Sequence, residues 1–224
     1  MISTKLELYK AAISKTSPFE IENLVRALLI HYFFHVSDKT RIEITNLGDA
    51  KSRTINVLTP TVFKGAGRIC LAPHVVFGVP RSPGSYSCSY VEARTPDSLI
   101  YIGDNTVINN RAVILSEGAE IKIGQRCLIG PEFNILDTNA HQLEIGQRHL
   151  PDRSPQNVII GDDVFIGSRV TILKGAQIGD GCVIAAGCVI PPSFDAPPLS
   201  IIAGNPARIV GLVPTTSSSG QPSL

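Results

Sequence analysis

Tryptophan is absent from this 224-residue chain, methionine occurs once, and aromatic residues make up only 6%. Charge is sparse as well: 20 Lys and Arg face 19 Asp and Glu, a net charge of +1, and charged residues are 17% of the total. That balance offers no electrostatic attraction for nucleic acid or an acidic membrane surface. No stretch reaches the ~20 apolar residues of a membrane span. The run from Leu24 to Phe34 is broken by Arg26 and His31, and MISTKLELYK has no apolar signal core. A soluble, cytoplasmic protein is expected. The five cysteines, Cys70, Cys88, Cys127, Cys182 and Cys188, are odd in number and contain no CxxC pair; Cys127, Cys182 and Cys188 share one position of a six-residue repeat and read as apolar fillers, which points to a reducing compartment.

What is abundant is isoleucine at a fixed interval. From Val158 to Ile190 an Ile returns every sixth position, at Ile160, Ile166, Ile172, Ile178, Ile184 and Ile190. A period of six fits neither the 3.6 of a helix nor the two-residue alternation of a flat strand. It fits a chain wound as a triangular prism, with one hexad per side and every sixth side chain pointing at the axis. Two places before each Ile stands a small or modest residue, Val164, Val170, Ala176, Cys182 or Cys188, which also points inward. Gly161, Gly167 and Gly179 follow an Ile directly, and are expected to supply positive φ at the bends. Successive coils would pair as parallel strands about 4.8 Å apart, each burying its neighbour's apolar edge.

The rest of the chain is organised around this stack. Residues 17–36 open with Ser-Pro and carry Phe19, Leu24, Val25, Leu28, Leu29 and Tyr32 at spacings of three and four, which predicts an amphipathic helix capping the open end of the prism. Strand-like pattern follows from Arg41 to Val79, with a degenerate coil from Leu71. Residues 81–98 read as a loop or edge excursion, and a slip of register near SEGAEIK reads as a bulge at a corner. After Ile135 the hexads stop for about twenty residues, an insertion long enough to be functional. Beyond Ile190, Pro191, Pro192, Pro197 and Pro198 are expected to stop the strands. IIAGNPARIV gives a last short strand, and the Ser-rich end from Thr215 a mobile tail. Three segments are expected: 1–60 as helix and cap, 61–211 as the β-helix with loop 136–157 inserted, and 212–224 as the tail.

The inserted loop holds the main chemical candidate. His141 stands just past the exit from a rigid coil, and an imidazole titrating near pH 6.5 suits a general base. Asp137 and Asn139 alternate toward one side before it, placed to orient the ring, to hold hydroxyls of a substrate, or to satisfy their own turn. His149 follows Arg148 in a charged stretch and reads as a surface residue. His74 reads as a turn residue. His31 and His35 are spaced as a metal pair on a helix, but Tyr32, Phe33 and Phe34 surround them and no metal is expected.

The phased hexads, ILDTNAH from Ile135 to His141 and AGNPARIVG from Ala203 to Gly211, resemble the hexapeptide-repeat acyltransferases, which fold as a left-handed parallel β-helix. Over residues 60–211 the order of elements looks most like sugar and polysaccharide O-acetyltransferases. The resemblance implies acetyl-CoA as co-substrate, His141 as base attacking directly, and the backbone N–H of Ser168, after Ile166-Gly167, as oxyanion donor. It implies acceptor contacts from Asp137, Asn139 and Asn110. Along the cofactor groove it implies Gly167, Ser168, Ala186, Gly187, Asn205 and Arg208. Lys174 is a nearby cation for a phosphate. Pro191-Pro192 stands where relatives carry Thr-Lys. The resemblance also implies a homotrimer with sites between subunits. N-acetyl transfer to an amino sugar, a catalytically silent trimeric scaffold, and a γ-class carbonic anhydrase with a three-histidine zinc site are the competing classes. The last lacks histidines on its coils.

Overall fold

An apolar side chain that returns at the same point on each side of a coil builds a ladder, and three such ladders run the length of this molecule. The structure is a computed structural model that describes residues 18–31, 42–44 and 56–214. Sheet 1 holds β1 (Ile42–Ile44), β4 (Arg68–Leu71), β7 (Leu99–Ile102), β10 (Glu120–Ile123), β13 (Val158–Ile160), β16 (Gln177–Ile178) and β19 (Asp195–Ala196). Sheet 2 holds β2 (Asn56–Val57), β5 (Val76–Phe77), β8 (Val107–Ile108), β11 (Leu128–Ile129), β14 (Phe165–Ile166), β17 (Val183–Ile184) and β20 (Ser200–Gly204). Sheet 3 holds β3 (Thr61–Lys64), β6 (Ser89–Ala93), β9 (Val113–Ser116), β12 (Asn134–Leu136), β15 (Thr171–Ile172) and β18 (Val189–Ile190).

Each strand therefore pairs in parallel with the strand three places on. The register keeps like with like: Ile123 stands opposite Ile160 and Ile160 opposite Ile178, Ile129 opposite Ile166 and Ile166 opposite Ile184, Ile135 opposite Ile172 and Ile172 opposite Ile190. All of these are buried, as are the small inward residues Cys127, Val164, Val170, Ala176, Cys182 and Cys188. Interior Ile clusters of this kind replace the large rings the composition lacks. Burying each such side chain contributes ~1.5–3 kcal/mol, so stability accumulates coil by coil. Burial pushes the Cys127, Cys182 and Cys188 thiols up, as suits inert fillers.

Several expectations change in detail. Gly161, Gly167 and Gly179 do not take positive φ; that falls three residues after each inward Ile, at Asp163, Arg169, Gly175, Gly181, Gly187 and Ser193. The glycines are needed instead for close approach. A Cβ on Gly167 would lie 2.6 Å from the Ala186 nitrogen of the next coil, and one on Gly179 would lie 2.5 Å from the Pro198 nitrogen. The prolines do not stop the winding: Pro191 and Pro192 follow β18, and Pro197 and Pro198 follow β19, the last strands of sheets 3 and 1, so no further coil asks for their N–H; β19 and β20 still complete the final coil.

The slip near SEGAEIK lies at a corner, as expected, and takes the form of an enlarged corner at residues 117–119 between the four-residue strands β9 and β10. Residues 81–98 divide into an excursion up to β6, strand β6 itself and the following corner. The final strand is a pair: β21 (Ala207–Leu212) folds back antiparallel on β20. Upstream, β1 and β2 already pair with β4 and β5, so the winding begins before residue 61. The predicted helix forms as α1 (Pro18–His31). It does not hide its apolar face in a cap, since Leu24, Val25 and Leu28 are 48%, 44% and 55% exposed. His35 and the tail from Thr215 lie outside the described residues.

Candidate functional site

The insertion after β12 is a braced hairpin. Where the third sheet turns to the first, residues 137–157 leave the prism. They pair across His141 and Pro151 in an antiparallel bridge, with Gln142 N–H donating to Leu150 O at 3.1 Å and Asp152 N–H to Ala140 O at 3.3 Å. A 3₁₀ turn, Ile145–Gln147, forms the tip. His141 is exposed, and among the described residues its ring has no hydrogen-bond partner. Ala140, directly before it, has φ of 61°, a conformation a residue with Cβ adopts only when its surroundings impose it. His149 is exposed on the same hairpin, and His74 occupies a left-handed turn with Nδ1 3.1 Å from Asp104.

The base of the hairpin is held by buried carboxylates. Asp137 is fully buried, and its oxygens accept from Ser116 Oγ at 2.9 Å, Glu117 N–H at 2.8 Å and Ala119 N–H at 2.9 Å. Burial raises its pKa above the ordinary carboxylate range, against the lowering effect of these donors. It therefore shapes the enlarged corner and does not face an acceptor. Thr138, also buried, donates to Glu117 Oε2 at 3.0 Å and accepts from Ala140 N–H at 2.9 Å. Asn139 keeps an exposed side chain.

Lys174 is the other correction. Its side chain is 10% exposed, and Nζ donates to Asp152 Oδ2 at 2.7 Å, Ser154 O at 2.9 Å and Ser154 Oγ at 3.3 Å. Every donor is aimed into the hairpin, so it is not a free cation for a phosphate. Asp152 also accepts from Asn139 N–H at 2.9 Å and Ser154 N–H at 3.1 Å. Burial opposes its charge, but the bonds from Asn139, Lys174 and Ser154 outweigh it and hold the carboxyl well below the usual range. Asp152 is signalled by no motif, and Thr138 lies within ILDTNAH without being singled out; the hairpin brings Asp152 to Lys174 across 22 residues.

Asn110 likewise faces inward. It is fully buried, donates to Val79 O, Ser82 O and Pro83 O and accepts from Val79 N–H at 3.0 Å. Its two N–H donors are shared among three carbonyls, so the buried side chain is committed to tying down the excursion after β5.

Ser168 lies at a different edge, between the second and third sheets. At the edge between the first and second, the N–H after two of the Ile-Gly pairs is capped from the next coil: Gln125 N–H by Asp162 at 3.0 Å and Asp162 N–H by Asp180 at 2.8 Å. Below Ser168 the next coil offers Ala186, which has no acceptor, and the Ser168 N–H has no partner among the described residues. Ala186 and Gly187 are exposed, and a Cβ added to Gly187 would meet nothing within 4 Å. Along this edge Gly167, Ser168, Ala186 and Gly187 leave an open strip of small residues with one unused donor. Pro191 is half-buried and Pro192 exposed at the corner beyond β18, and Asn205 and Arg208 are exposed on the β20–β21 hairpin.

Comparison with known proteins agrees with this architecture. The bacterial transferase hexapeptide family, in its description six repeats, matches residues 157–192. A hexapeptide-repeat containing acetyltransferase from Vibrio cholerae is 27% identical, covers 88% of this chain and 94% of its own, and has a TM-score of 0.50. A maltose O-acetyltransferase from Clostridium difficile 630 is 21% identical over 90% of this chain and 91% of its own, with a TM-score of 0.52. The hexapeptide-repeat acetyltransferase from Vibrio cholerae O1 biovar eltor, solved in complex with acetyl coenzyme A, is 24% identical over 89% of this chain and 91% of its own, with a TM-score of 0.50. The chain thus carries the hexapeptide repeat over residues 157–192 and shares the left-handed parallel β-helix fold of these acetyltransferases.

Proposed function

We propose that the protein is an O-acetyltransferase that moves an acetyl group from acetyl-CoA to a sugar hydroxyl. The observation that carries this reading is the pairing of an exposed, unpartnered imidazole on a braced hairpin with an unused backbone N–H beside an open strip of small residues. His141 takes the proton of the hydroxyl as its oxygen attacks the thioester carbonyl. The Ser168 N–H holds the oxyanion of the tetrahedral intermediate, a preorganised donor that needs no rearrangement as charge develops. Collapse breaks the carbon–sulfur bond, and the thiolate of CoA recovers the proton from the imidazolium. Gly167, Ala186 and Gly187 leave room for the pantetheine arm, and Arg208 is the remaining cation for its phosphates. Pro191 and Pro192 offer it only apolar surface. Acetyl coenzyme A in the Vibrio cholerae O1 biovar eltor relative and the maltose acceptor named for the Clostridium difficile one support the two substrate classes.

The two halves of this site stand on different edges of one prism, His141 where sheet 3 meets sheet 1 and Ser168 where sheet 2 meets sheet 3. A neighbouring copy brings them together, and the homotrimer is part of the proposal. Sheet 2 presents an in-register outward ladder of Val76, Val107, Leu128, Phe165, Val183 and Ile201, with Leu128 and Phe165 54% and 51% exposed. A continuous apolar stripe of this kind supports self-association.

The test is CoA release from acetyl-CoA with a panel of free sugars, amino sugars and nucleotide sugars, wild type beside His141→Ala. One sugar should turn over at a rate that the variant lowers ~100-fold or more. Preference for an amine would move the reaction to N-acetylation. Failure of acetyl-CoA to bind at millimolar concentration would leave a scaffold.

A further inference from the structure

His141 sits on a hairpin whose tip, with Leu143 and Ile145 74% and 83% exposed, has no packing of its own. A base in such a place must still be held within ~0.5 Å of its productive position. Its ring has no partner among the described residues, so its placement depends on the backbone on either side. That backbone converges on one ammonium. On the incoming strand Asn139 N–H is bound by Asp152 Oδ2 at 2.9 Å. On the outgoing strand are Asp152 itself and Ser154, whose carbonyl takes a second Lys174 hydrogen bond. Lys174 belongs to the corner after β15, within the regular stack.

The incoming strand has a second brace. Thr138 donates to Glu117, Glu117 accepts from Arg94 at 3.1 Å, and Arg94 donates to the buried Glu92 at 2.9 Å, which also accepts from Tyr90. This chain of side chains runs down the third sheet to an earlier coil. An apolar contact would anchor the hairpin as firmly, since replacing a buried ion pair with packed apolar groups is often neutral for stability. What directed hydrogen bonds add is a single register for the two strands and hence for His141.

We propose that Lys174 and Asp152 are positioning residues for His141, an ion pair that fixes the hairpin to the rigid coil and sets where the imidazole stands. The kinetic arm rests on the acetyltransfer reading; a proteolytic arm does not. With acetyl-CoA and the best sugar of the panel, Lys174→Met should lower kcat at least tenfold while KM for acetyl-CoA stays within about twofold. Lys174→Arg should recover most of the loss, and Asp152→Asn should reproduce it. Calorimetric Kd for CoA should be unchanged in all three. Brief trypsin treatment should cut Lys174→Met and Asp152→Asn faster than wild type at the exposed Arg148 and Arg153. If Lys174→Met fails to fold, Lys174→Arg and Asp152→Asn carry both arms.

Tenfold weaker CoA binding with kcat unchanged would overturn the proposal and return Lys174 to a phosphate site. Wild-type kcat and trypsin resistance in Lys174→Met and Asp152→Asn would overturn it as well. Absence of turnover in the wild type would sink the acetyltransfer reading, and the trypsin result would still decide whether the pair braces the hairpin.

Discussion

Ser168 separates the chemistry of a side chain from that of the main chain. The Ser168→Ala variant keeps the N–H and should retain activity within a fewfold of wild type. The Ser168→Pro variant removes the donor and should lose ~10²–10³ in kcat, read in the same CoA-release assay. The fold tolerates that proline: Pro131 follows Gly130 at the same place one coil earlier, and Pro198 already lies under Gly179 as Ser168 lies under Gly130. Equal activity in the two variants would remove Ser168 from the mechanism. Asp137 makes a prediction of another kind. Its proton is held more tightly in the folded chain than in the unfolded one, so the stability it lends is fully present below about pH 4 and declines as pH rises through the raised value. Asp137→Asn does not titrate. It should cost ~1–3 kcal/mol in urea unfolding, because a backbone donor loses its acceptor. The gap between variant and wild type should narrow from about pH 4 upward and level off above the raised value. A gap independent of pH would mean that Asp137 does not titrate between the two states.

At the turns, two kinds of glycine should behave differently in thermal unfolding. Gly179→Ala drives a methyl into the backbone of the next coil, an overpacking that costs ~1–3 kcal/mol. Gly187→Ala meets open space but has φ of 74°, a strain of ~1–2 kcal/mol. Arg169, in a left-handed turn at the same edge, bears that strain already. A larger loss at Gly187 than at Gly179 would contradict the close-approach account. The same distinction explains why hexad glycines mislead when read for φ alone. The repeat places Gly where coils touch, and the left-handed turn comes two residues later whichever side chain stands there.

At the scale of the whole molecule the proposed homotrimer rests on the second sheet. Phe165→Glu puts a charge in the middle of its apolar ladder; if the wild type sediments as the proposed trimer, the variant should shift toward monomer and lose turnover together with it. Mixing Ser168→Pro with His141→Ala should restore part of the activity, since a mixed assembly holds sites with one intact His141 edge against one intact Ser168 edge. No recovery on mixing would mean that each chain carries a complete site.

The winding was legible because it follows from a rule that repeats: Ile every six residues, with a small residue two places before it, satisfies the same ladder at every coil, and no distant residue has to be known. His141 stands out in the sequence for a related reason, as the one histidine next to the point where the repeat stops, and its role as base remains the proposal. Asp137, Asn110 and Lys174 were misplaced because polarity alone does not tell whether a group faces a substrate or a neighbouring backbone. That depends on which N–H groups the enlarged corner at 117–119 and the excursion after β5 leave in need of acceptors. The ion pair of Lys174 with Asp152 exists only once the hairpin folds back on the coil. Local periodicity decides the prism; the tertiary fold alone decides which polar groups are consumed in building it and which, like His141 and the Ser168 N–H, are left without a partner among the described residues.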